Sequence, residues 1–419
     1  MNIGYACLTV GVKDTSMKRC NKKNASQSRL KELIADNLKS LENIIDYNIM
    51  NGIKLFRISS DFIPFGSSPV NSLKWWEIYD EEFLHIGNKI RDNNIRISMH
   101  PGQYTVLNSK DKSVVERAID DLEYHSRVLD SLKAGPENKI VLHIGGVYNE
   151  KKSSIERFVE NYHMLSNRVK RRLIIENDDK SYNISEVLEI GKRIGAPVVF
   201  DNLHNSSNPS DPLKTEKFWI NECRPTWQEK DGNQKIHYSQ QAKDKRQGAH
   251  SNSINVGDFL AFTASIERSD IDIMLEVKDK NLSAIKCINS ISMDKKIKVL
   301  ESEWSKYKYN VLEKSPSSYN KIRELLKNKQ EYPAVQFYNI LETAMEQSED
   351  VGKAINAAMH VFGYFKKDSS ESEKTKIMDK IQNYRDSKIP LRMLKGSLLK
   401  MAIKYNKNYL LESYYFILQ

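Results

Sequence analysis

Residues 198–205, VVFDNLHN, contain the pattern that decides the fold: a short apolar run that ends in an acid and, three positions later, an imidazole. Such a continuous run is typical of a parallel strand that is covered on both faces. Amphipathic stretches of helical period separate it from similar runs elsewhere. These runs lie at residues 3–6, 55–58, 95–99, 140–144, 173–175, 236–238 and 273–277. Eight strands alternating with helices within the first 280 residues or so predict an α/β fold, a (β/α)8 TIM barrel.

The chain changes character near residue 295. Residues 1–280 hold 41 basic and 39 acidic side chains, whereas residues 281–419 hold 24 and 16. The later segment is lysine-rich, has helical patterns such as VGKAINAAMHVFGYF, and lacks strand-like runs. We therefore predict a barrel domain at residues 1–295 and a basic, mainly helical C-terminal region at residues 296–419. The basic balance favours a polyanionic partner such as nucleic acid; a lysine-rich surface without such a partner is the alternative.

The composition describes a globular chain, with 39% hydrophobic and 29% charged residues. No stretch approaches the roughly 18 apolar residues of a membrane span, and the opening residues lack the cleavage site of a signal peptide. Four widely spaced cysteines without a CxxC pair favour reduced thiols over a disulfide framework. We therefore expect a cytoplasmic protein with no membrane partner.

Acids and imidazoles recur where the predicted strands end or in the loop that follows. They are His100, His143, Glu176, Asp201, His204, His237, His250 and Glu276. The carboxyl ends of barrel strands meet at one mouth, and unpaired polar groups buried there would be costly. Each histidine alone is more simply a hydrogen-bonded core residue. The four other histidines, however, all lie in helix-like patterns, so this segregation predicts a metal centre.

Eight candidate ligands exceed what one ion requires. Two or three ions, with Glu176 and Asp201 as bridges, would use them all. Nitrogen and oxygen ligands without cysteine suit manganese, iron or zinc. Clustered divalent ions favour phosphoryl chemistry, in which they activate water and stabilise the transition state.

Together these motifs resemble the UV damage endonucleases, a family related in fold to endonuclease IV. The matching stretches span nearly the whole predicted barrel. They are GYAC (4–7), FRISSD (56–61), SMHPGQYTVLNS (98–109), VLHIGG (141–146), IIEND (174–178), FDNLHN (200–205), CRPTW (223–227), KIHYSQ (235–240) and MLEVKDK (274–280). As an ordered set these motifs are specific, whereas each alone would be weak.

The resemblance implies a DNA repair endonuclease that acts in the cytoplasm, at the nucleoid. It would nick duplex DNA immediately 5′ to UV photoproducts, with abasic sites as a further substrate, by multi-metal-assisted phosphodiester hydrolysis. Its partner would be double-stranded DNA containing UV lesions, and no obligatory protein partner is evident. The cofactor would be two to three divalent ions, usually Mn²⁺, with Zn²⁺, Co²⁺ or Fe²⁺ as alternatives.

Motif by motif, the resemblance also implies residue roles. The eight strand-end residues would be the metal ligands, and the catalytic residues would be Glu176, Asp201, His237, Glu276 and Lys235, the last matching a lysine that some members carboxylate. Gln103 and Tyr104 would fill the space left by a flipped-out dinucleotide, with Tyr5 as a further aromatic at the lesion. Lys278 and Lys280 are candidates for phosphate contact.

Two positions depart from the family pattern. Cys7 leads directly into Leu8, where members often carry an asparagine, and Phe65 stands where a histidine often follows the proline. These departures concern lesion contact and leave the predicted metal ligands unchanged.

Two other functions remain open from the sequence. The first is a single-metal sugar isomerase or epimerase of the xylose-isomerase-like barrel type, which could use Glu176, Asp201, His237 and Glu276 around one ion. The second is a DNA-binding module with a structural metal. Metal content would separate the nuclease from the isomerase, because the nuclease requires about two to three ions per chain and the isomerase requires one.

Overall fold

The computed structural model describes residues 1–292 and 294–418. Its strands form one closed, parallel barrel in sequence order, which confirms the predicted TIM barrel. The strands are β1 (Asn2–Ala6), β2 (Leu55–Ile58), β3 (Arg96–Met99), β4 (Lys139–His143), β5 (Leu173–Glu176), β6 (Val198–Asp201), β7 (Gln234–Tyr238) and β8 (Ile271–Leu275).

Helices follow the strands and then fill the C-terminal part of the chain. Up to residue 291 they are α1 (Gln27–Met50), α2 (Trp75–Ile78), α3 (Asp80–Asp92), α4 (Lys112–Ser131), α5 (Lys151–Met164), α6 (Asn167–Lys170), α7 (Ile184–Ile194), α8 (Asn202–Ser207), α9 (Glu216–Cys223), α10 (Val256–Ile266) and α11 (Asn281–Ile291). Beyond it they are α12 (Lys298–Lys314), α13 (Pro316–Leu325), α14 (Ala334–Met345), α15 (Val351–Phe362), α16 (Glu371–Arg385), α17 (Leu391–Lys404) and α18 (Asn408–Leu411).

The eighth strand lies two residues earlier than its apolar run predicts. It includes Asp272, whose carboxylate is 2.8 Å from the guanidinium of Arg96 on β3. Because this ion pair compensates the buried charge, an acid can occupy a buried strand position. The shift leaves Glu276 just beyond the end of β8, on the mouth side.

A second buried ion pair lies at the amino-terminal end of the barrel. The ammonium nitrogen of Lys139, the first residue of β4, lies 2.5 Å from a carboxylate oxygen of Asp231, and both side chains are almost fully buried. The same ammonium donates to the carbonyl of Arg171. This end of the barrel is therefore held by charged pairs, while the carboxyl ends of the strands carry the candidate ligands.

The chain divides into two compact units. The barrel unit comprises Met1–Thr9, Lys13–Ile254 and Ala261–Ile288, and the helical unit comprises Val10–Val12, Asn255–Leu260 and Asn289–Gln419. The helical unit has a buried apolar cluster of its own, which includes Leu312, Val361, Leu394 and Leu398. The domain boundary at residue 295 stays a prediction. No helix among the described residues is both long and apolar enough to cross a membrane.

Candidate metal centre

The strand register places the predicted ligands side by side. His143, the last residue of β4, pairs with Glu176, the last residue of β5. Asp201, the last residue of β6, pairs with His237 on β7. His100 directly follows β3. The ligands from different strands therefore meet at the carboxyl end of the barrel, where TIM-barrel active sites form.

Glu176 lies at the centre of this cluster. Its Oε1 is 2.7 Å from Nδ1 of His237 and 3.7 Å from Nδ1 of His204. Its Oε2 is 3.3 Å from Nε2 of His100 and 3.7 Å from Nε2 of His143. One buried carboxylate thus faces four imidazoles.

Among the described residues, three groups of side chains bring their ligand atoms within 4.8 Å of one another. They are His100–His143–Glu176, Glu176–Asp201–His204 and Glu176–His237–Glu276. Glu176 belongs to all three groups, as a bridging carboxylate would. The arrangement could hold two or three divalent ions, and its nitrogen and oxygen donors suit first-row transition metals.

Unpaired buried atoms show that the cluster fits a metal centre. Oδ2 of Asp201, Nε2 of His237 and Nδ1 of His143 have no hydrogen-bond partner within the described chain. Asp201 and His237 are fully buried. A buried polar atom without a partner costs about 1–3 kcal/mol, and coordinated cations would compensate three such atoms in one cluster.

A surrounding layer of hydrogen bonds orients the ligands. The backbone N–H of Asp201 donates to Oδ1 of Asn177 at 2.9 Å, and the Asn177 amide donates back to the Asp201 carbonyl. The backbone N–H of His204 donates to the Asp201 carboxylate at 2.7 Å, because Asp201 caps the amino terminus of α8. Nδ1 of His204 lies 2.9 Å from the carbonyl of Asn177. Such outer partners fix the geometry of metal ligands.

The titration behaviour of these groups follows from burial and mutual charge. Burial by itself would raise the pKa of Glu176, but the charge of His237 and the hydrogen bond from His100 hold this pKa well below its usual value. Burial raises the pKa of Asp201 to about 6. Burial disfavours charged His204, yet the charges of Asp201 and Glu176 raise its pKa to about 9. A cation that binds at His204 in neutral solution must therefore displace a proton.

Arg57 is a site residue that the sequence reasoning missed. Its Nη1 is 2.5 Å from Oε1 of Glu276, and both side chains are nearly buried. The same Oε1 is 3.3 Å from Nδ1 of His237. Burial opposes the charged form of Glu276, but Arg57 lowers the pKa of this carboxyl far below its usual value. The sequence did offer a signal for Arg57, because it is a charged residue within the otherwise apolar strand LFRI.

His250 lies beside Glu276, whereas Lys235 lies further back along β7. Nδ1 of His250 is 4.0 Å from Oε2 of Glu276, in a loop that pairs with Gln241. Lys235 is fully buried on β7, two residues before His237, and its ammonium has no hydrogen-bond partner within the described chain. Burial lowers its pKa well below the usual value, with further lowering by the charge of Arg96. Neither residue belongs to the three ligand groups.

Four of the five residues predicted to contact DNA are exposed or half-buried in loops that follow strands. Gln103 and Tyr104 are exposed in the loop after β3, with 83% of Tyr104 accessible to solvent. Lys278 is exposed after β8, where its ammonium lies 3.2 Å from Oδ1 of Asn252, and Lys280 is half-buried nearby. Each of these positions is open to a ligand at the mouth.

Tyr5 is fully buried, in contrast to the exposed residues of the mouth. Its hydroxyl lies 2.9 Å from Oδ1 of Asn48 and 2.8 Å from Oγ1 of Thr9. The structure therefore does not bring this ring to the surface, and its contact with a lesion stays a prediction.

Comparisons with known proteins identify relatives of both parts of the chain. The family model described as UV-endonuclease UvdE matches residues 1–308, and a model for a protein of unknown function (DUF1722) matches residues 308–418. The UV DNA damage endonuclease of Clostridium perfringens (strain 13 / Type A) is 39% identical over 354 residues, covering 84% of this chain and 85% of that one. That of Bacillus cereus (strain G9842) is 33% identical over 287 residues, covering 68% and 89%. The crystal structure of SacUVDE is 37% identical with a TM-score of 0.65, covering 72% of this chain and 99% of that one.

Proposed function

This chain belongs to the UV-endonuclease family, and from that premise we propose that it nicks duplex DNA immediately 5′ to UV photoproducts, with abasic sites as a further substrate. The reaction is metal-assisted hydrolysis of one phosphodiester bond. The observation that carries the proposal is the arrangement around Glu176, where one carboxylate belongs to three candidate ligand groups at the barrel mouth. Two to three ions are expected there, with Mn²⁺ as the first candidate.

When bound, clustered divalent ions supply an activated water and stabilise the charge of the phosphoryl transition state. The chain's own residues prepare the site for them. Glu176, Asp201 and Glu276 provide anionic donors, and Arg57 holds Glu276 in its charged form and in one orientation. Asn177 fixes the backbone of Asp201.

Lys235 remains in the proposed catalytic set. Burial lowers its pKa well below the usual value, which favours the uncharged amine over the ammonium form. An uncharged amine is the form that reacts with carbon dioxide to give a carbamate, which agrees with the carboxylated lysine of the family resemblance.

Gln103 and Tyr104 are proposed to enter the duplex at the lesion. An aromatic side chain that stands free in solvent replaces lost base stacking at little cost, because it has few contacts to break. The planar amide of Gln103 can hydrogen-bond the bases left without partners. Lys278 and Lys280, beyond β8, would contact backbone phosphates of the same duplex.

Nicking of a supercoiled plasmid tests this function. The purified chain with Mn²⁺ should convert UV-irradiated plasmid to the open circle and leave unirradiated plasmid supercoiled. Chelation by EDTA should stop the reaction. Equal relaxation of irradiated and unirradiated plasmid, or relaxation that continues in EDTA, would contradict a lesion-directed, metal-dependent nuclease.

A further inference from the structure

The basic charge of the chain is concentrated in the helical unit. Residues 289–419 contain 23 Lys and Arg against 16 Asp and Glu, whereas residues 1–288 contain 42 against 39. Residues 289–419 thus contribute +7 of the formal net charge of +10. Positive charge at this density attracts a polyanion.

A groove between α16 and α17 holds part of this charge. Its volume is about 390 Å³, and Ile377 and Met401 are the buried residues along it. Lys376, Lys380 and Asn383 line it from α16, and Ser397 and Lys400 from α17. The three α16 residues are spaced i, i+4 and i+7, so they share one face of the helix.

The lysines of this groove are not neutralised by carboxylates. The ammonium groups of Lys376, Lys380 and Lys400 form no ion pair or hydrogen bond with any described residue of the chain. Of the two acids in the groove, Glu373 is bound by the ammonium of Lys404 and accepts a hydrogen bond of 2.7 Å from Tyr405. Asp379 is the second acid. The groove therefore keeps a net positive charge.

Several other lysines of the helical unit are paired with nearby acids. Lys353 lies 3.8 Å from Asp350, Lys374 lies 2.8 Å from Glu371, and Lys388 lies 3.0 Å from Asp386. These paired lysines supply a matched control set for the lysines of the groove.

We propose that the groove between α16 and α17 binds the phosphate backbone of duplex DNA. Lysine, asparagine and serine side chains are the groups that contact phosphate oxygens. The residues that line the groove include no aromatic side chain, and single-stranded nucleic acid is bound chiefly by stacking on aromatic rings. The choice of DNA rests on the proposed function, in which duplex DNA is the substrate.

The salt dependence of binding tests the groove. The full chain is titrated onto an undamaged 30-base-pair DNA duplex in EDTA over a range of salt concentrations. A variant that combines Lys376→Gln, Lys380→Gln and Lys400→Gln should lower the slope of log K against log salt by about 2 to 3, since each phosphate contact contributes about 0.9. A control variant that combines Lys353→Gln, Lys374→Gln and Lys388→Gln removes the same charge and should keep the wild-type slope.

Equal slopes for the two triple variants would overturn the groove as the binding surface. A groove effect that is larger on single-stranded RNA than on duplex DNA would overturn the choice of partner. Because this assay involves no cleavage, a lowered slope supports the groove even if the chain fails to nick irradiated plasmid. Lesion-directed nicking with an unchanged slope would reject the groove and leave the proposed function standing.

Discussion

Glu176→Gln is the substitution that most sharply tests the metal centre. Glutamine has nearly the shape of glutamate, so the packing around residue 176 should persist, while its negative charge and one oxygen donor are lost. All three candidate ligand groups contain Glu176. A single substitution therefore weakens every proposed ion site at once.

The size of the effect follows from the contacts of this carboxylate. Loss of an outer partner of a ligand typically costs 10- to 100-fold in metal affinity, and Glu176 is itself a candidate ligand that faces four imidazoles. We expect a loss of at least about 100-fold, or about 2.7 kcal/mol, in affinity. The bound ions should fall from two or three per chain to one or none.

The assay measures ions per chain by mass spectrometry after dialysis against Mn²⁺, together with the nicking rate on irradiated plasmid. Glu216→Gln is the matched control, because Glu216 is a half-buried carboxyl outside the three ligand groups. The control should keep full metal content. Wild-type metal content and nicking in Glu176→Gln would refute the central role of this carboxylate.

Three further outcomes follow from the structure. Lys139→Met should lower the free energy of unfolding in urea by about 3–5 kcal/mol, because it leaves Asp231 buried without its ammonium partner. Adding Asp231→Asn to this variant should recover part of the lost stability. An unchanged loss in the double variant would contradict a stabilising role of the ion pair. His204 stays protonated below its pKa of about 9, so Mn²⁺ binding should release about one proton from it at pH 7.5 and almost none at pH 10. Calorimetry in buffers of different ionisation enthalpy measures this release. A proton release that does not vary with pH would contradict the prediction. Tyr104→Ala should weaken binding to a lesion duplex by about 1–3 kcal/mol with unchanged metal content, whereas equal weakening on undamaged duplex would exclude a role in lesion contact.

Much of the fold could be predicted because most barrel strands contain a short apolar run. The runs at residues 55–58 and 198–200 coincide with β2 and with most of β6. The eighth strand was predicted two residues too late because Asp272 interrupts the apolar pattern. The partner of this acid, Arg96, lies 176 residues away in sequence. Single-sequence periodicity contains no information about such a distant charge pair.

The residues of the candidate site could be predicted where they lie at the ends of strands. Glu176 and Asp201 follow apolar runs directly, and the register of a parallel barrel brings such ends together. Arg57 was missed because its partner Glu276 is 219 residues away. The buried hydroxyl of Tyr5 contacts Asn48 of α1, and only the folded chain reveals this contact.

The most direct test of the account maps the nick on a labelled duplex that contains one cyclobutane pyrimidine dimer, with Mn²⁺ present. We predict a single nick immediately 5′ to the dimer, leaving a 3′-hydroxyl that a DNA polymerase extends without further processing. The undamaged duplex and the Glu176→Gln variant should give no product. Failure to cleave with any divalent ion, on this duplex or on one with an abasic site, would contradict the nuclease, and a nick elsewhere would contradict its proposed position.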